Sequence, residues 1–386
     1  MISPTASTAF SPWEACQALL DALPGADASD LHLATGRPAH WRRHGELEAC
    51  DEHIWRMEDM TAVATQLLDP LRRQNLEQFG SADLGYSSAG GYRFRVNLFR
   101  SLGRLSLVAR HLPERFAALS ELHLPASIRE LAYLASGLVL ITGITGSGKS
   151  TTLATLIHEI NTNIAAHILT IEDPVEFVHT PVKSLISHRE LGTDTPDFAL
   201  AVRAAMREDP DVILVGELRD TETMRAALAA AETGHLVFST LHTADAVGAT
   251  ERFIGAFPGE EQDLARHRLS LVLKAVVAQQ LLPRIDMKGR APAVEILRGT
   301  PAVMNLIATG RTSQLYSTIE SGMELGMQTY DQSLAQLARE RLVSLDLVRT
   351  LARHADSFDW LVKNGGQNPP GAAPGNIPGS ATRGRA

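Results

Sequence analysis

The feature that most constrains the fold of this 386-residue chain is a glycine-rich loop, Gly143–Ser150, with the sequence GITGSGKS. The loop directly follows an apolar run, Gly137–Thr142, and directly precedes a segment compatible with a helix. In a strand, loop and helix of this kind, successive backbone N–H groups turn inward around phosphate oxygens, and the helix adds its positive N-terminal end. The pattern therefore predicts a nucleoside triphosphate site on an α/β fold.

The loop pattern predicts a role for its last two residues. Lys149 is expected to contact the β- and γ-phosphates, and the Ser150 hydroxyl to bind Mg²⁺. A glycine-rich turn without phosphate is the alternative, which the complete pattern between strand and helix disfavours. The residues predicted to bind ATP are Gly143, Thr145, Gly146, Ser147, Gly148, Lys149, Ser150 and Thr151.

Composition limits the class of protein. The length suits two globular domains, and 44% hydrophobic and 21% charged residues are ordinary for a soluble protein. A net charge of −8 disfavours nucleic acid as a partner. The two cysteines, Cys16 and Cys50, form neither a CxxC pair nor a zinc spacing. Because no apolar run reaches the roughly 18 residues of a transmembrane helix, we expect a cytoplasmic protein that meets a membrane only through partners.

Three zones and a tail follow one another along the chain. Residues 1–112 combine a helix, Trp13–Leu23, with strand-like pieces and are expected to form a small α+β domain. Residues 113–130 are expected to be a linker, 131–364 an α/β domain with C-terminal helices, and the Gly- and Pro-rich 365–386 a disordered tail. The strand-like pieces are Leu31–Leu33, Trp41–Leu47, Ala82–Ser87, Tyr92–Arg100 and Arg104–Leu112.

Four apolar runs of the α/β zone alternate with helical stretches, which is typical of a parallel sheet with crossover helices. Polar residues follow each run, and ligands of such sheets lie beyond the carboxyl ends of the strands. We therefore expect these ends to converge on one crevice. The runs are Leu138–Thr142, Ile168–Ile171, Val212–Val215 and Leu236–Thr240.

Two acids at these strand ends are candidates for holding hydrated Mg²⁺ or activating water. Glu217 follows the third run, and its alternative role as a helix N-terminal acid suits Asp220 better than a residue directly after a glycine. Glu172 follows the second run, and its alternative role is that of a structural acid in the turn before Pro174.

Histidines flank the fourth run at both ends. His242 follows the run and is placed to donate to a γ-phosphate, whereas the spacing puts His235 at the amino-terminal edge and favours a structural role. A helix capped by Thr195 is expected to present Arg203 and Arg207 on one face. That arginine pair is either solvated or directed at a neighbouring subunit's phosphates.

One strand of the first zone alternates in polarity. The segment Tyr92–Leu98 places Arg93, Arg95 and Asn97 on one face and apolar residues on the other. By itself this predicts a half-buried strand. Phosphoryl transfer often uses a cation supplied across an interface, which makes these arginines candidates for that role.

Four blocks of the α/β zone resemble the Walker A, Asp box, Walker B and His box of secretion-superfamily ATPases. They resemble in particular the PilT family of type IV pilus retraction (twitching motility) ATPases, over about residues 27–341. The resemblance implies a PAS-like N-terminal domain, a RecA-like C-terminal domain and a cytoplasmic homohexamer that binds ATP and Mg²⁺ at its subunit boundaries. The blocks are Gly143–Thr152, Thr170–Phe177, Arg207–Asp220 and Thr233–Thr243.

The resemblance also implies roles for single residues and for partners. Arg95 and Arg110 are implied to reach a neighbouring subunit's site. The implied partners are an inner-membrane pilus platform protein and, as a further option, a paralogous pilus ATPase. The His-box match gives His235 a functional role that its spacing alone does not. The residues with an implied catalytic role are Glu217, Glu172, His242, His235, Arg95 and Arg110.

Two positions depart from the family pattern. Met304, in Ala302–Ile307, stands where retraction ATPases usually carry an arginine, and Gly103 precedes Arg104 where relatives usually have the reverse order. An accessory, retraction-modulating paralogue is one alternative function, because Val277–Leu281 and Lys288–Arg290 resemble segments of such proteins as well. An assembly ATPase is a second, although these enzymes usually carry paired CxxC motifs. A nucleotide-gated scaffold with negligible turnover is an alternative of a different class.

Overall fold

The computed structural model describes residues 10–112, 116, 118, 119 and 121–365. Predictions made for residues 113–115, 117 and 120 of the linker and for 366–386 of the tail lie outside the described residues. The chain divides into two compact units, which are described separately. The first unit comprises Met1–Arg115, Glu172–Val178 and Arg189–Pro196, and the second unit comprises Phe116–Ile171, His179–His188 and Asp197–Ala386.

Among the described residues, the first unit contains a six-stranded antiparallel sheet with three α-helices. Its helices are α1 (Pro12–Ala22), α2 (Met57–Leu67) and α3 (Pro70–Phe79). Its strands are β1 (Ala28–Ala34), β2 (His40–Arg43), β3 (Glu46–Ala49), β4 (Ser81–Ser87), β5 (Arg93–Ser101) and β6 (Arg104–His111). The strand order is β3-β2-β1-β6-β5-β4.

The core of the first unit lies between one face of this sheet and the helices. Trp55, Phe94 and Met60 are fully buried in it. On β5 the predicted alternation is confirmed, because Phe94, Val96 and Leu98 are buried while Arg95 is exposed. The structure therefore confirms the small α+β fold predicted from the alternating strands.

One predicted strand of the first unit was wrong. The segment Trp41–Leu47 forms two strands, β2 and β3, joined by a two-residue turn at His44 and Gly45. Both turn residues have positive φ angles, 51° and 93°. A turn with two positive φ angles follows the twist of a hairpin, and the glycine supplies the second at no steric cost.

The α2 and α3 helices were not predicted, although the sequence marks the start of α3. The Asp69 carboxylate accepts a hydrogen bond from the N–H of Arg72 at 2.8 Å, and Pro70 occupies the first turn. An acidic cap followed by proline is a common beginning of a helix.

A buried carboxylate joins distant segments of the first unit. Glu190, which is 7% exposed, accepts from Arg72 Nη2 at 2.8 Å and from Arg93 Nη2 at 2.7 Å. It also accepts from the N–H of Val175 at 3.2 Å. A buried charge requires such partners, so these contacts hold the inserted segments Glu172–Val178 and Arg189–Pro196 in this unit.

The second unit contains a seven-stranded sheet and eleven helices among the described residues. Its strands are β7 (Gly137–Thr142), β8 (His167–Glu172), β9 (Leu185–Glu190), β10 (Val212–Val215), β11 (Leu236–Leu241), β12 (Leu273–Pro283) and β13 (Arg290–Arg298). Its helices are α4 (Ala126–Arg129), α5 (Lys149–Asn163), α6 (Phe198–Ala205), α7 (Thr221–Glu232), α8 (Ala246–Gly255), α9 (Gln262–Val272), α10 (Pro301–Ala308), α11 (Leu315–Ser321), α12 (Tyr330–Arg339), α13 (Leu345–Leu351) and α14 (Ala355–Lys363). The strand order is β13-β12-β7-β11-β10-β8-β9.

The four predicted strands of this sheet are adjacent and parallel. β7 pairs with β11, β11 with β10, and β10 with β8, in a register that brings their carboxyl ends to one edge. Every residue of β7, β10 and β11 is buried, as expected for strands covered by helices on both faces. The parallel sheet is therefore confirmed, whereas β9, β12 and β13 were not predicted.

The helix after Thr195 begins later than predicted. The Asp197 side chain caps α6 by accepting from the N–H of Leu200 at 2.7 Å. The helix ends at Ala205, so Arg207 lies beyond it and does not continue a helical face with Arg203. The prediction that Thr195 caps this helix was therefore wrong. The Asp197 carboxylate lies nearer the first turn and accepts the capping hydrogen bond instead.

The last three helices, α12, α13 and α14, pack around a smaller hydrophobic cluster with residues of β12 and β13. Phe358 and Leu334 are fully buried in it. Among the described residues, no helix combines the length and the apolar character that crossing a bilayer requires.

Candidate functional site

The site begins where β7 ends in the phosphate loop. Gly143, Gly146 and Gly148 of the loop have φ angles of +146°, +80° and +91°. Residues that carry a Cβ atom rarely adopt such backbone angles, so these positions favour glycine. The loop then enters α5, whose first residue is Lys149. The predicted strand, loop and helix arrangement is confirmed.

Two of the loop glycines are also required by close packing. A Cβ atom on Gly143 would lie 2.3 Å from the carbonyl oxygen of Gln279, and a Cβ on Gly148 would lie 2.6 Å from Gln279 Nε2. A Cβ on Gly146 would meet no atom within 4 Å among the described residues. The loop is therefore packed against β12 on one side and is open at Gly146.

The Lys149 ammonium lies over the loop. Its Nζ atom donates to the carbonyl oxygens of Gly143 at 2.7 Å and Ile144 at 3.1 Å, and the residue is only 8% exposed. Arg290 also approaches the loop and donates to the carbonyl oxygen of Gly146 at 3.2 Å. These two cations make the loop a favourable place for an anion.

The residues of the loop fit a phosphate group. Among the described residues, Ser147 Oγ is a buried hydroxyl oxygen without a hydrogen-bond partner. A buried polar atom of this kind is costly unless a ligand or water satisfies it. Ser150, at the first turn of α5, is exposed and offers the hydroxyl expected to bind Mg²⁺.

An apolar cavity adjoins the phosphate loop. Its volume is 340 Å³, and the loop side of its wall includes Gly148 and Thr151. Leu124, Leu281 and Pro292 are among the apolar residues that line it. The cavity is within the size range of small-molecule sites and provides apolar surface next to the phosphate loop.

Two predicted functional residues meet at the same sheet edge. Glu217 Oε1 lies 3.1 Å from His242 Nε2, and Glu217 Oε2 accepts a hydrogen bond from Arg219 Nε at 2.7 Å. The Glu217 side chain is 21% exposed and that of His242 44% exposed. The two residues therefore remain accessible to a ligand while fixing one another's orientation.

Hydrogen bonds tie this pair to the strand that carries the phosphate loop. The N–H of Thr243 donates to Thr142 Oγ1 at 2.9 Å, which joins the residue after His242 to the last residue of β7. The N–H of Leu218 donates to the Thr240 carbonyl oxygen at 3.1 Å. The predicted convergence of strand ends is thus confirmed for the segments that carry Lys149, Glu217 and His242.

Asp220 supports the distinction drawn between the two acids after β10. Its carboxylate caps α7 by accepting from the N–H of Thr223 at 2.8 Å. The capping role therefore belongs to Asp220, and Glu217 does not serve as the helix cap.

His235 does not join this group within the chain. It precedes β11, its carbonyl oxygen accepts from the N–H of Gly137 at 3.0 Å, and Gly137 is the first residue of β7. Its Nδ1 lies 2.9 Å from the Ala230 carbonyl oxygen and 3.1 Å from Thr233 Oγ1. The placement inferred from spacing is confirmed, because parallel strands put His235 at the edge opposite the phosphate loop of its own chain, and its implied functional role stays a prediction.

The remaining predicted residues belong to the first unit. Arg95 and Arg110 are cross-strand partners on β5 and β6. Arg95 Nη1 lies 3.8 Å from Glu176 Oε1, and Arg110 Nε donates to Asp30 Oδ1 at 2.8 Å. Their side chains are 46% and 66% exposed. Glu172 is the last residue of β8.

The sequence reasoning missed two polar residues beside the loop and the acid. Arg219 lies two positions after Glu217, and this closeness in the sequence was the only sign that Arg219 belongs to the site. Gln279 directly follows the apolar run Ala275–Ala278, and an amide at the end of such a run marks a polar position without showing which residues it contacts.

Comparisons with known proteins agree with this geometry. The family model of type II/IV secretion system proteins matches residues 87–351. The chain is 42% identical over 331 residues to the type IV pilus retraction ATPase PilT of Pseudomonas aeruginosa, covering 86% of this chain and 96% of that protein. This chain belongs to the PilT family of secretion ATPases. It is also 36% identical over 340 residues to the type IV pilus ATPase PilU of the same organism, covering 88% of this chain and 89% of PilU.

A solved structure supports the PilT-family fold. The crystal structure of the pilus retraction motor PilT with bound ADP matches with a TM-score of 0.80 at 38% identity, covering 88% of this chain and 97% of that one. The predicted fold class is confirmed: a RecA-like P-loop unit with a small PAS-like α+β unit. As a member of the PilT family, the chain is an ATPase.

Proposed function

We propose that this ATPase is the motor of type IV pilus retraction and works as a homohexameric ring. The observation that carries the proposal is the meeting of the phosphate loop, Glu217 and His242 at one edge of a parallel sheet. The similarity to a retraction ATPase along most of the chain supports the choice of process.

The phosphate loop holds the triphosphate in this proposal. Lys149 places its ammonium on the transferred phosphoryl group, and the loop N–H groups and the buried Ser147 hydroxyl donate to phosphate oxygens. Ser150 and, through water, Glu217 would hold Mg²⁺, which would neutralise phosphate charge. The adjoining 340 Å³ cavity takes the nucleoside.

Glu217 acts on the attacking water. Its carboxylate accepts the water proton, while Arg219 and His242 hold its two oxygens in place. His242 then donates toward the γ-phosphate, and Glu172 is a second acid for the same water. His235, the second residue of the His-box pair, lies at the other sheet edge, so its proposed role is exercised away from this group.

Assembly completes the site. Arg95 and Arg110, exposed on the first unit, supply cations to the phosphates of a neighbouring protomer, where a planar guanidinium suits spread negative charge. Hydrolysis then moves a PAS-like domain, residues 1–112 with the segments Glu172–Val178 and Arg189–Pro196 that belong to the same unit, against a RecA-like domain formed by the rest of residues 131–364. The ring works in the cytoplasm at the inner-membrane base of a pilus machine, with a platform protein as partner.

The test is steady-state phosphate release by the purified full chain. Wild type is expected to release phosphate, and Glu217→Gln to do so about 10²–10⁴ times more slowly, because the amide cannot accept the water proton. Nucleotide binding by both proteins is the control. Equal rates in both proteins would favour a nucleotide-gated scaffold.

A second candidate, an accessory retraction ATPase, is favoured by Met304. This residue lies in α10, in the segment where the retraction pattern carries an arginine. Expression of the chain in a strain lacking its retraction ATPase separates the two functions. Restored twitching and loss of excess surface pili support the motor, whereas recovery only when a second ATPase is present supports the accessory role.

A further inference from the structure

We propose that Gln279 is a positioning residue that holds the phosphate loop in the shape that binds nucleotide. The inference rests on the proposed nucleotide site and adds a residue from a neighbouring strand to it. Gln279 acts through the loop, on Ser147 and Thr152.

The sheet register brings Gln279 to the loop. β12 runs parallel to β7, and Ala278 is paired with Thr142, the last residue of β7. The next residue on β12 therefore lies beside the first residue of the loop, Gly143. β12 continues to Pro283, whereas β7 ends at Thr142, so the loop turns against a strand that is still extended.

Both ends of the Gln279 amide are used. Its Nε2 donates to the carbonyl oxygen of Ser147 at 2.8 Å, and its Oε1 accepts from Thr152 Oγ1 at 2.8 Å. The residue is 5% exposed, so water does not compete freely for these bonds. One buried amide thus joins the loop to the first turns of α5.

The fit between amide and loop is close. Gly143 and Gly148 approach Gln279 so nearly that a Cβ on either would lie within 2.6 Å of it. The loop path is therefore set by contact with Gln279 as well as by the φ angles of the glycines. The contact with Gly143 is made by the backbone carbonyl oxygen of Gln279 and that with Gly148 by the amide Nε2, so a side chain of other shape at 279 leaves either a gap or a clash against Gly148.

The bond to Ser147 has a consequence for the next N–H group. In a trans peptide the C=O and N–H groups point in opposite directions. Holding the Ser147 carbonyl oxygen on Gln279 therefore turns the N–H of Gly148 to the opposite side, where it is available to a phosphate oxygen. Loss of the amide lets this peptide rotate, and binding must then restore its orientation.

The neighbouring glutamine is a matched control. Gln280 faces the other side of β12, where its Oε1 accepts a hydrogen bond from the Tyr330 hydroxyl of α12. It is half-buried and makes no hydrogen bond to the phosphate loop among the described residues. The same substitution at 279 and at 280 therefore separates a role in the loop from the general cost of changing this strand.

The experiment compares Gln279→Met and Gln280→Met in the full chain. Methionine keeps the length of glutamine and removes the amide. We expect Gln279→Met to bind ADP about tenfold more weakly, equivalent to about 1.4 kcal/mol, with KM for ATP raised by a similar factor. Gln280→Met is expected to bind ADP like wild type. Fluorescence titration with a labelled ADP and steady-state kinetics measure these values.

Melting temperatures with and without ADP separate positioning from folding. A role in folding alone lowers the melting temperature without ADP and leaves the affinity of the folded protein unchanged, which would overturn the proposal. A positioning role reduces the increase in melting temperature that ADP produces. ADP affinity equal to that of wild type in Gln279→Met would also overturn it.

Thr152→Val is a second variant that tests the proposal, and it does so even if Gln279→Met does not fold. It removes the hydroxyl that orients the amide, and we expect about threefold weaker ADP binding. Unchanged affinity in Thr152→Val overturns the proposal. If the variant with both substitutions loses less ADP affinity than the product of the two single fold-losses, the two residues act together. If wild type binds ADP but does not hydrolyse ATP, the proposed function fails and these binding tests still decide the role of Gln279.

Discussion

At the scale of residues, two glycines of the same loop provide a matched pair for stability. In Gly143→Ala the new Cβ meets a backbone oxygen 2.3 Å away at a φ of +146°, whereas in Gly146→Ala it meets only an unfavourable φ of +80°. We expect a loss of about 2–4 kcal/mol for Gly143→Ala and about 1 kcal/mol for Gly146→Ala. Urea unfolding without nucleotide measures both. Equal losses would contradict the close approach to β12.

The ammonium of Lys149 gives a second prediction at this scale. Lys149→Ala is expected to reduce hydrolysis at least about 100-fold, because the charge that offsets the transferred phosphoryl group is lost. Lys183→Ala is the control, since Lys183 is exposed and its Nζ donates to the Asn163 carbonyl oxygen at a distance of 3.5 Å, away from the phosphate loop. Phosphate release measures both variants, and normal turnover in Lys149→Ala would refute the assignment.

The sequence was sufficient to predict where several site residues lie. Lys149, Glu217 and His242 each follow an apolar run, and parallel strands put such positions at one edge, as the structure confirms. Their catalytic roles stay predictions. Gln279 was not found, because its importance depends on pairing between strands more than 130 residues apart along the chain, which no local pattern encodes.

At the scale of elements, β12 shows why part of the sheet was missed. Its eleven residues follow α9 directly, and most are buried. A buried apolar run after a helix has the same local pattern as more helix, so periodicity alone does not distinguish them. The β2–β3 hairpin was missed because its strands are only four residues each and the turn between them is marked by a single glycine, Gly45.

The segment between β8 and β9 gives a prediction of pH dependence. His179 is 4% exposed, its ring lies 4.3 Å from that of Phe116, and its Nδ1 has no hydrogen-bond partner among the described residues. Burial, with smaller effects of His188 and His158, lowers the pKa of His179 to about 3. Below pH 6.5 the unfolded chain therefore binds a proton that the folded chain does not, so stability falls as the pH falls from about 6.5 towards 3.

Urea unfolding at pH 7 and pH 5.5 measures this effect. Between these values we expect His179 to cost the folded protein about 1 kcal/mol. His179→Phe, which keeps a flat apolar ring, is expected to lose about 1 kcal/mol less stability over that interval than wild type. His44→Gln, at an exposed histidine, is expected to behave like wild type. An identical pH dependence in His179→Phe would refute the assignment.

At the scale of the whole molecule, the proposed sharing of each site between two protomers predicts complementation. Arg95→Ala removes the cation proposed to act on a neighbour's phosphates, and Glu217→Gln removes the acid that acts in its own protomer. Each protein alone is expected to lose at least about 100-fold in rate. Subunit exchange in a mixture creates sites with both groups intact, so we expect part of the wild-type rate to return.

Phosphate release after mixing the two variants measures the restored rate, and analytical ultracentrifugation reports the ring. Arg100→Ala serves as control, because Arg100 is an exposed arginine on the same strand. Absence of any recovery from rings that exchange subunits would contradict a shared site, as would full activity of a monomer.

The assignment of Glu172–Val178 and Arg189–Pro196 to the first unit has a consequence for engineering. The backbone passes from one unit to the other at five places, so no single cut in the chain separates the two units. A fragment beginning at Phe116 would keep Glu190 but lose Arg72 and Arg93, its guanidinium partners. A chimera that takes its first unit from a relative must therefore take both inserted segments from the same relative. Otherwise the Glu190 carboxylate loses its matched guanidinium partners.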